Sequence, residues 1–169
     1  TKIYENGNLI YDYTLNLENK RVYISLESRS LGDTLAWFPY TDEFGKKHNC
    51  NVIVSTFWNS LFINSYPHIE FVEPGAIVND IYAMYKIGWF YKDDKVDNAK
   101  NPSDFKTIPL QRTASDILGL EYKEVKSVLR KFNPIKSKKV GIAIHATAQS
   151  KYWNNPTGWQ DVVDFLNSE

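Results

Sequence analysis

Residues 21–40, RVYISLESRSLGDTLAWFPY, constrain this chain most. An apolar run (Val22, Tyr23, Ile24, Leu26) passes through a polar turn (Ser28, Arg29, Ser30, Leu31, Gly32) into a segment where Leu35, Ala36, Trp37 and Phe38 recur with helical spacing. A strand that enters a helix through so short a turn opens a βαβ unit. The spacing predicts a helix that begins near Asp33. Gly32 lets backbone come close to another group there. A helix start presents unpaired N–H groups that hold a phosphate or are capped by a carboxylate. Two roles are therefore open to Asp33: an N-cap, or a carboxylate projecting into the crevice at the carboxyl end of a strand, where open α/β sheets bind ligands.

The same order repeats downstream. Residues 51–56 (NVIVST) are a β-branched strand, 58–65 a short helix ended by Pro67, and 69–72 a third strand closed by Pro74 and Gly75. A repeat of about thirty residues is that of successive βαβ units with a parallel sheet. The first helix is expected to stop before Gly45, Lys46 and Lys47. Residues 87–91 read as a further strand, KDDKVDNAKNPSD as a surface loop, and 109–119 as a helix opened by Pro109 and stopped by Gly119. Ahead of all this, residues 2–17 alternate weakly around Asn6, Gly7 and Asn8, the pattern of a β-hairpin. After a Lys-rich connector, VGIAIH (140–145) reads as a buried strand, and a helix opening at Pro156 buries Trp159, Val162, Val163 and Leu166.

The predicted fold is α/β: a β-hairpin over 1–18, a Rossmann-like parallel-sheet domain over 19–133, and a linker with the first strand and helix of an incomplete second domain over 134–169. The apolar faces of that last piece are expected to be buried against the first domain or a second copy, so homo-oligomerisation is admitted.

Length and charge narrow the function. The 169 residues allow one ordinary domain with a real core, or one domain and part of a second, but not two complete nucleotide-binding domains. Net charge is zero, so no basic field attracts nucleic acid. Aromatics reach 15%, including 11 Tyr and 5 Trp, which favours a cleft that packs on sugars, bases or peptide. A single cysteine, Cys50, excludes an internal disulfide and a multi-cysteine metal site within the chain, and reads as a buried strand-start residue. With no run apolar and long enough to insert in a membrane and no signal peptide at its start, the chain is expected to be cytoplasmic.

A second polar cluster occupies 146–155: Thr147, Gln149, Ser150, Lys151, Trp153, Asn154 and Asn155. Hydroxyls, backbone N–H groups and a lysine point charge suit a diphosphate; the alternative is an exposed Lys151 while Tyr152 and Trp153 pack the following helix. His145 reads as a core histidine. On the 109–119 helix, Gln111 and Arg112 face either a cleft or solvent.

LeuGlyAspThr (31–34) followed by LeuAlaTrpPheProTyr resembles the amino-terminal motif of GT-B heptosyltransferases. Together with SerLysTyrTrpAsnAsnProThrGlyTrpGln, it is similar to the autotransporter strand-loop-strand O-heptosyltransferases over nearly the whole chain from Tyr4. The resemblance implies a GT-B amino-terminal domain, a nucleotide-sugar donor such as ADP-heptose, and serine acceptors on a bacterial adhesin. It makes Asp33 the catalytic base and gives Lys151 and Trp153 phosphate-side and adjacent donor-pocket positions. Ser30, Leu31, Gly32, Thr147 and Ser150 complete the candidate donor set, with Trp37, Gln111 and Arg112 as acceptor-side candidates. These residues require no metal and no cofactor is expected in this chain; the family binds iron through cysteines beyond its end. A non-catalytic module that binds peptide or sugar is the alternative, while a dehydrogenase is disfavoured because no GxGxxG follows the first strand.

Overall fold

The computed structural model describes residues 1–97, 100–101, 103–129, 139–146 and 148–168. Most of the expected connector (134–138), with the boundary after residue 133, lies outside these residues. The chain divides into two units, Thr1–Lys131 and Phe132–Glu169.

The first unit opens with the expected hairpin: β1 (Lys2–Glu5) pairs antiparallel with β2 (Asn8–Asp12) through a two-residue turn in which Asn6 and Gly7 take positive φ. Every residue of both strands is exposed. The core lies behind it, in a four-stranded parallel sheet of β3 (Arg21–Leu26), β4 (Asn51–Ser55), β5 (Glu70–Val72) and β6 (Ala83–Ile87), in the order β5-β4-β3-β6. Val22, Ile24 and Leu26 alternate onto one face of β3, where they meet Val52, Val54, Phe38 and Phe62 in the buried cluster. Phe38 stacks on Phe62 with centroids 3.8 Å apart and meets Tyr66 edge-on at 4.8 Å.

Two helices connect β3 to β4: α1 (Leu31–Trp37) and α2 (Pro39–His48), with Phe38 between them still at helical angles (φ −54°, ψ −42°). The interruption is Pro39, which has no N–H for the carbonyl of Leu35 four residues back. That carbonyl is satisfied from elsewhere: Ser127 Oγ donates to it at 2.8 Å. The helix does not stop before Gly45 as expected. It runs to His48, because Gly45 packs directly on β4, where a Cβ would stand 2.9 Å from Val52 Cγ2, and Asn49 provides the left-handed cap.

Three other expectations need correction. The helix over 58–65 is one 3-10 turn, Asn59–Leu61, whose first residue is tied by its side chain to the ends of β4 and β5, accepting from Thr56 N–H at 3.0 Å and donating to Val72 O at 2.8 Å. The strand expected over 87–91 lies earlier, as β6, and only Ile87 belongs to both; Trp89 turns inward to pack against Trp37 and Phe105. The KDDK stretch is not all loop: β7 (Tyr91–Lys92) and β8 (Lys95–Val96) form a ribbon whose two-residue turn, Asp93 and Asp94, takes left-handed angles. The 109–119 helix is α3 (Leu110–Ile117), with Pro109 as its N-cap.

Residues 121–129 cross this unit as an irregular strap fixed at three points. Besides Ser127, the Tyr40 hydroxyl donates to Lys123 O at 2.7 Å, and the Val128 N–H donates to the Tyr66 hydroxyl at 2.8 Å. Burial, with Tyr122 close by, pushes the Tyr40 phenol up to about 12. Above pH 10 an unfolded tyrosine ionises while Tyr40 in the fold stays neutral, so its contribution is complete below pH 10 and is lost as pH rises towards 12. Alkaline urea melts should lose about 2–3 kcal/mol across that window. Tyr40→Phe should remove its share of this dependence and leave that of Tyr66 and Tyr85, whose phenols burial also pushes up, at a cost of about 1 kcal/mol at neutral pH.

The second unit contains a 3-10 turn, Gln149–Lys151, and α4 (Gly158–Ser168). The buried strand expected over 140–145 is absent: these residues form no ladder, and Val140 and Ile144 are 63% and 47% exposed. A strand exists through its neighbour's hydrogen bonds, and among the described residues nothing pairs with this segment. Of the α4 residues expected to be buried, Trp159, Val162 and Val163 are half-buried and Leu166 is exposed.

Candidate functional site

The chain runs from β3 outward to β4 and β5, then returns to the other side of β3 for β6. Sheet order therefore reverses at β3, and the crevice at the carboxyl ends of β3 and β6 is the place where such sheets take ligands. A cavity of about 150 Å³ opens there, lined by Glu27, Ser28, Trp37, Gly88, Trp89 and Tyr91. A second recess of about 180 Å³ lies at the carboxyl ends of β3 and β4, bordered by Ser25, Glu27, Ser55 and Phe57.

The turn between β3 and α1 is braced on several sides. Trp58 Nε1 donates to Arg29 O at 2.9 Å, and the Arg29 guanidinium lies 4.9 Å from the centroid of the Phe57 ring. Glu27 N–H donates to Ile87 O at 3.0 Å, and its carboxylate pairs with Lys86 Nζ at 3.1 Å. Inside the turn, the Ser28 hydroxyl accepts from Ser30 N–H at 3.0 Å and donates to Asp33 Oδ2 at 2.6 Å.

Asp33 is thus the third residue of α1, not its cap. Ser30 is the N-cap and makes no side-chain cap bond; its carbonyl accepts from both Thr34 N–H and Thr34 Oγ1 at 3.1 Å. The half-buried Asp33 carboxylate makes no capping bond and accepts from Ser28, which lines the crevice cavity; Asp33 itself is not among the residues lining it. Sequence reasoning placed Ser28 in the turn but gave it no role. The sequence offers only a hydroxyl in the same short turn, five residues ahead of the carboxylate, which does not by itself say that the two touch.

The structure separates the other candidates. Leu31 and Gly32 are exposed on the first turn of α1. Trp37, expected on the acceptor side, is fully buried and donates Nε1–H to Leu110 O at 3.0 Å, so it is a core residue because its indole joins α1 to α3. Gln111 is half-buried at the start of α3; Arg112 is exposed and paired along its own helix with Asp116 at 3.6 Å. In the second unit, Ser150 and Lys151 sit on the 3-10 turn, and the exposed Trp153 meets Trp159 edge-on at 5.1 Å. Gly158 allows that contact, since a Cβ there would fall 2.5 Å from Trp153 Cη2. Thr147 lies outside the described residues. Among the described residues, no group of three or more His, Cys, Asp or Glu side chains is placed to hold a metal ion, and no helix is long and apolar enough to cross a membrane.

No family model matches the chain. Individual proteins do. The autotransporter heptosyltransferase BAHTCr of Citrobacter rodentium is 36% identical over 164 residues, covering 94% of this chain and 39% of the relative. TibC of enterotoxigenic Escherichia coli, also an autotransporter heptosyltransferase, is 35% identical over 94% of this chain and 40% of its own. The crystal structure of dodecameric, iron-containing TibC in complex with ADP-D-β-D-heptose superposes with a TM-score of 0.80 at 32% identity, covering 99% of this chain and 44% of that one. BimC of Burkholderia thailandensis, described as an inactive autotransporter heptosyltransferase, is 28% identical over 96% of this chain and 39% of its own length. The chain therefore spans about two fifths of the length of these curated relatives.

Proposed function

From the premise that this chain matches the autotransporter heptosyltransferase family, of GT-B type, at its amino-terminal portion, we propose that the protein transfers a heptose from a nucleotide-sugar donor such as ADP-heptose to serine hydroxyls of an autotransporter adhesin. The observation that carries this reading is the likeness, along almost the whole chain, to an enzyme crystallised with ADP-heptose. The first unit serves as the acceptor-side domain, and the second begins the donor-side domain.

The chemistry is a single displacement with inversion. The serine oxygen bonds to the anomeric carbon while the bond from that carbon to the diphosphate oxygen breaks, its electron pair leaving with the nucleotide diphosphate. Asp33 takes the hydroxyl proton. Lys151 offsets charge on the departing diphosphate, with Ser30, Leu31, Gly32, Thr147, Ser150 and Trp153 as further donor-side residues and Gln111 and Arg112 on the acceptor side. Iron does not fit the residues present: Cys50 is the lone cysteine, burial pushes its thiol up, and no ligand cluster forms among the described residues, so no step passes through the metal. The dodecameric relative supports homo-oligomeric assembly, and a cytoplasmic location is part of the same proposal.

A second reading, an inert module that binds peptide or sugar, is favoured by the likeness to BimC. The test is incubation of the protein at its full natural length with ADP-heptose and a serine-bearing adhesin fragment. Mass spectrometry should find heptosyl additions on the fragment. Lys151→Ala should weaken ADP-heptose binding about tenfold in calorimetry, the size expected for one hydrogen bond to a charged group. Donor binding with no transfer at any enzyme concentration would favour the inert module.

A further inference from the structure

We propose that Ser28 is a positioning residue for the Asp33 carboxylate, an inference that rests on the reading of Asp33 as the base. The hydrogen bond between them runs from the serine to the carboxylate. Ser28 Oγ accepts from Ser30 N–H at 3.0 Å and donates to Asp33 Oδ2 at 2.6 Å. A carboxylate acting as a base only accepts, so the shared proton is the one on the hydroxyl.

A consequence for proton transfer follows. With Oδ2 held, the carboxylate is fixed about its side-chain torsions, and Oδ1 is the oxygen presented to an incoming hydroxyl. The backbone around the pair is itself fixed by Trp58 on Arg29 O and by Glu27 on Ile87 O, so the hydroxyl sits on a turn that does not need to reorganise during the reaction. The pair lies where sheet order reverses, so the same turn that places the carboxylate also supplies its orienting donor. Ser28 touches the base and not the reacting atoms, which makes it a positioning residue.

The test compares wild type, Ser28→Ala, Ser28→Thr and Asp33→Asn at the protein's full natural length. In Ser28→Ala, kcat per active site should fall about tenfold with the acceptor KM nearly unchanged, as expected for loss of one hydrogen bond to a charged group. Ser28→Thr keeps the hydroxyl and should restore kcat. A fold effect would lower the fraction of active sites and leave kcat per active site unchanged. If Ser28→Ala and Ser28→Thr behave alike, or if kcat per active site is unchanged in Ser28→Ala, the inference is overturned. Wild-type turnover in Asp33→Asn would instead remove the base on which it rests.

Discussion

Asp33→Asn is expected to leave the melting temperature and donor affinity near wild type while lowering heptosyl transfer on the order of 10²- to 10⁴-fold, the usual cost of losing a general base. The structure makes this substitution unusually clean. The carboxylate does not cap α1, because Ser30 is the N-cap, so the helix has no capping bond to lose. Its hydrogen bond from Ser28 survives, because the asparagine amide oxygen accepts from the same hydroxyl in the same place. Only the ability to take up a proton is removed. Single-turnover transfer on the purified variant, with calorimetric titration of ADP-heptose, separates the chemical step from binding. Turnover equal to wild type would end the assignment of Asp33 as base.

Trp37→Ala should cost about 3–5 kcal/mol of stability, the range for truncating a large buried aromatic. This is a large share of the roughly 5–15 kcal/mol that holds a domain folded. The indole is fully buried, meets Trp89 edge-on at 5.7 Å, and gives Leu110 O its hydrogen bond at the start of α3. Trp37→Phe keeps a ring in the cavity but drops the donor, and should cost about 1 kcal/mol more than packing alone predicts. Urea melts measure both. A role in holding the acceptor would show the opposite signature, a changed acceptor KM with an unchanged melt.

How much was legible in the sequence depended on how local the cause was. β3, β4 and β5 were readable because their β-branched or aromatic runs are short and bounded by turns, and the hairpin because Asn6 and Gly7 mark its turn. β6 was not, because Met84 and Lys86 face out while Tyr85 and Ile87 face in, whereas the richer run of Trp89, Phe90 and Tyr91 drew attention away from it. Segment 140–145 failed in the other direction, since six residues rich in apolar side chains say nothing about whether a partner strand exists. Asp33 could be picked from its neighbours in sequence. Its tie to Ser28 could not, because a turn's dihedral angles decide whether residues five apart touch. Trp37 could be read as apolar, but its bond to residue 110 is a tertiary fact.

The hydrogen bond from Ser127 to the Leu35 carbonyl has a consequence for how the chain is made. Ribosomes deliver residues from the amino terminus, and the helix that carries Asp33 emerges with Pro39 already built into it, so the Leu35 carbonyl has no partner of its own. Ser127 follows 92 positions later. At about 5–20 residues per second, that interval is about 5–18 seconds during which this helix leans on water at the point where Pro39 interrupts it. Completion of the segment bearing the proposed base is thus timed by the arrival of the strap, and a nascent chain arrested before residue 127 should exchange its amide protons around Leu35 faster than the finished protein does.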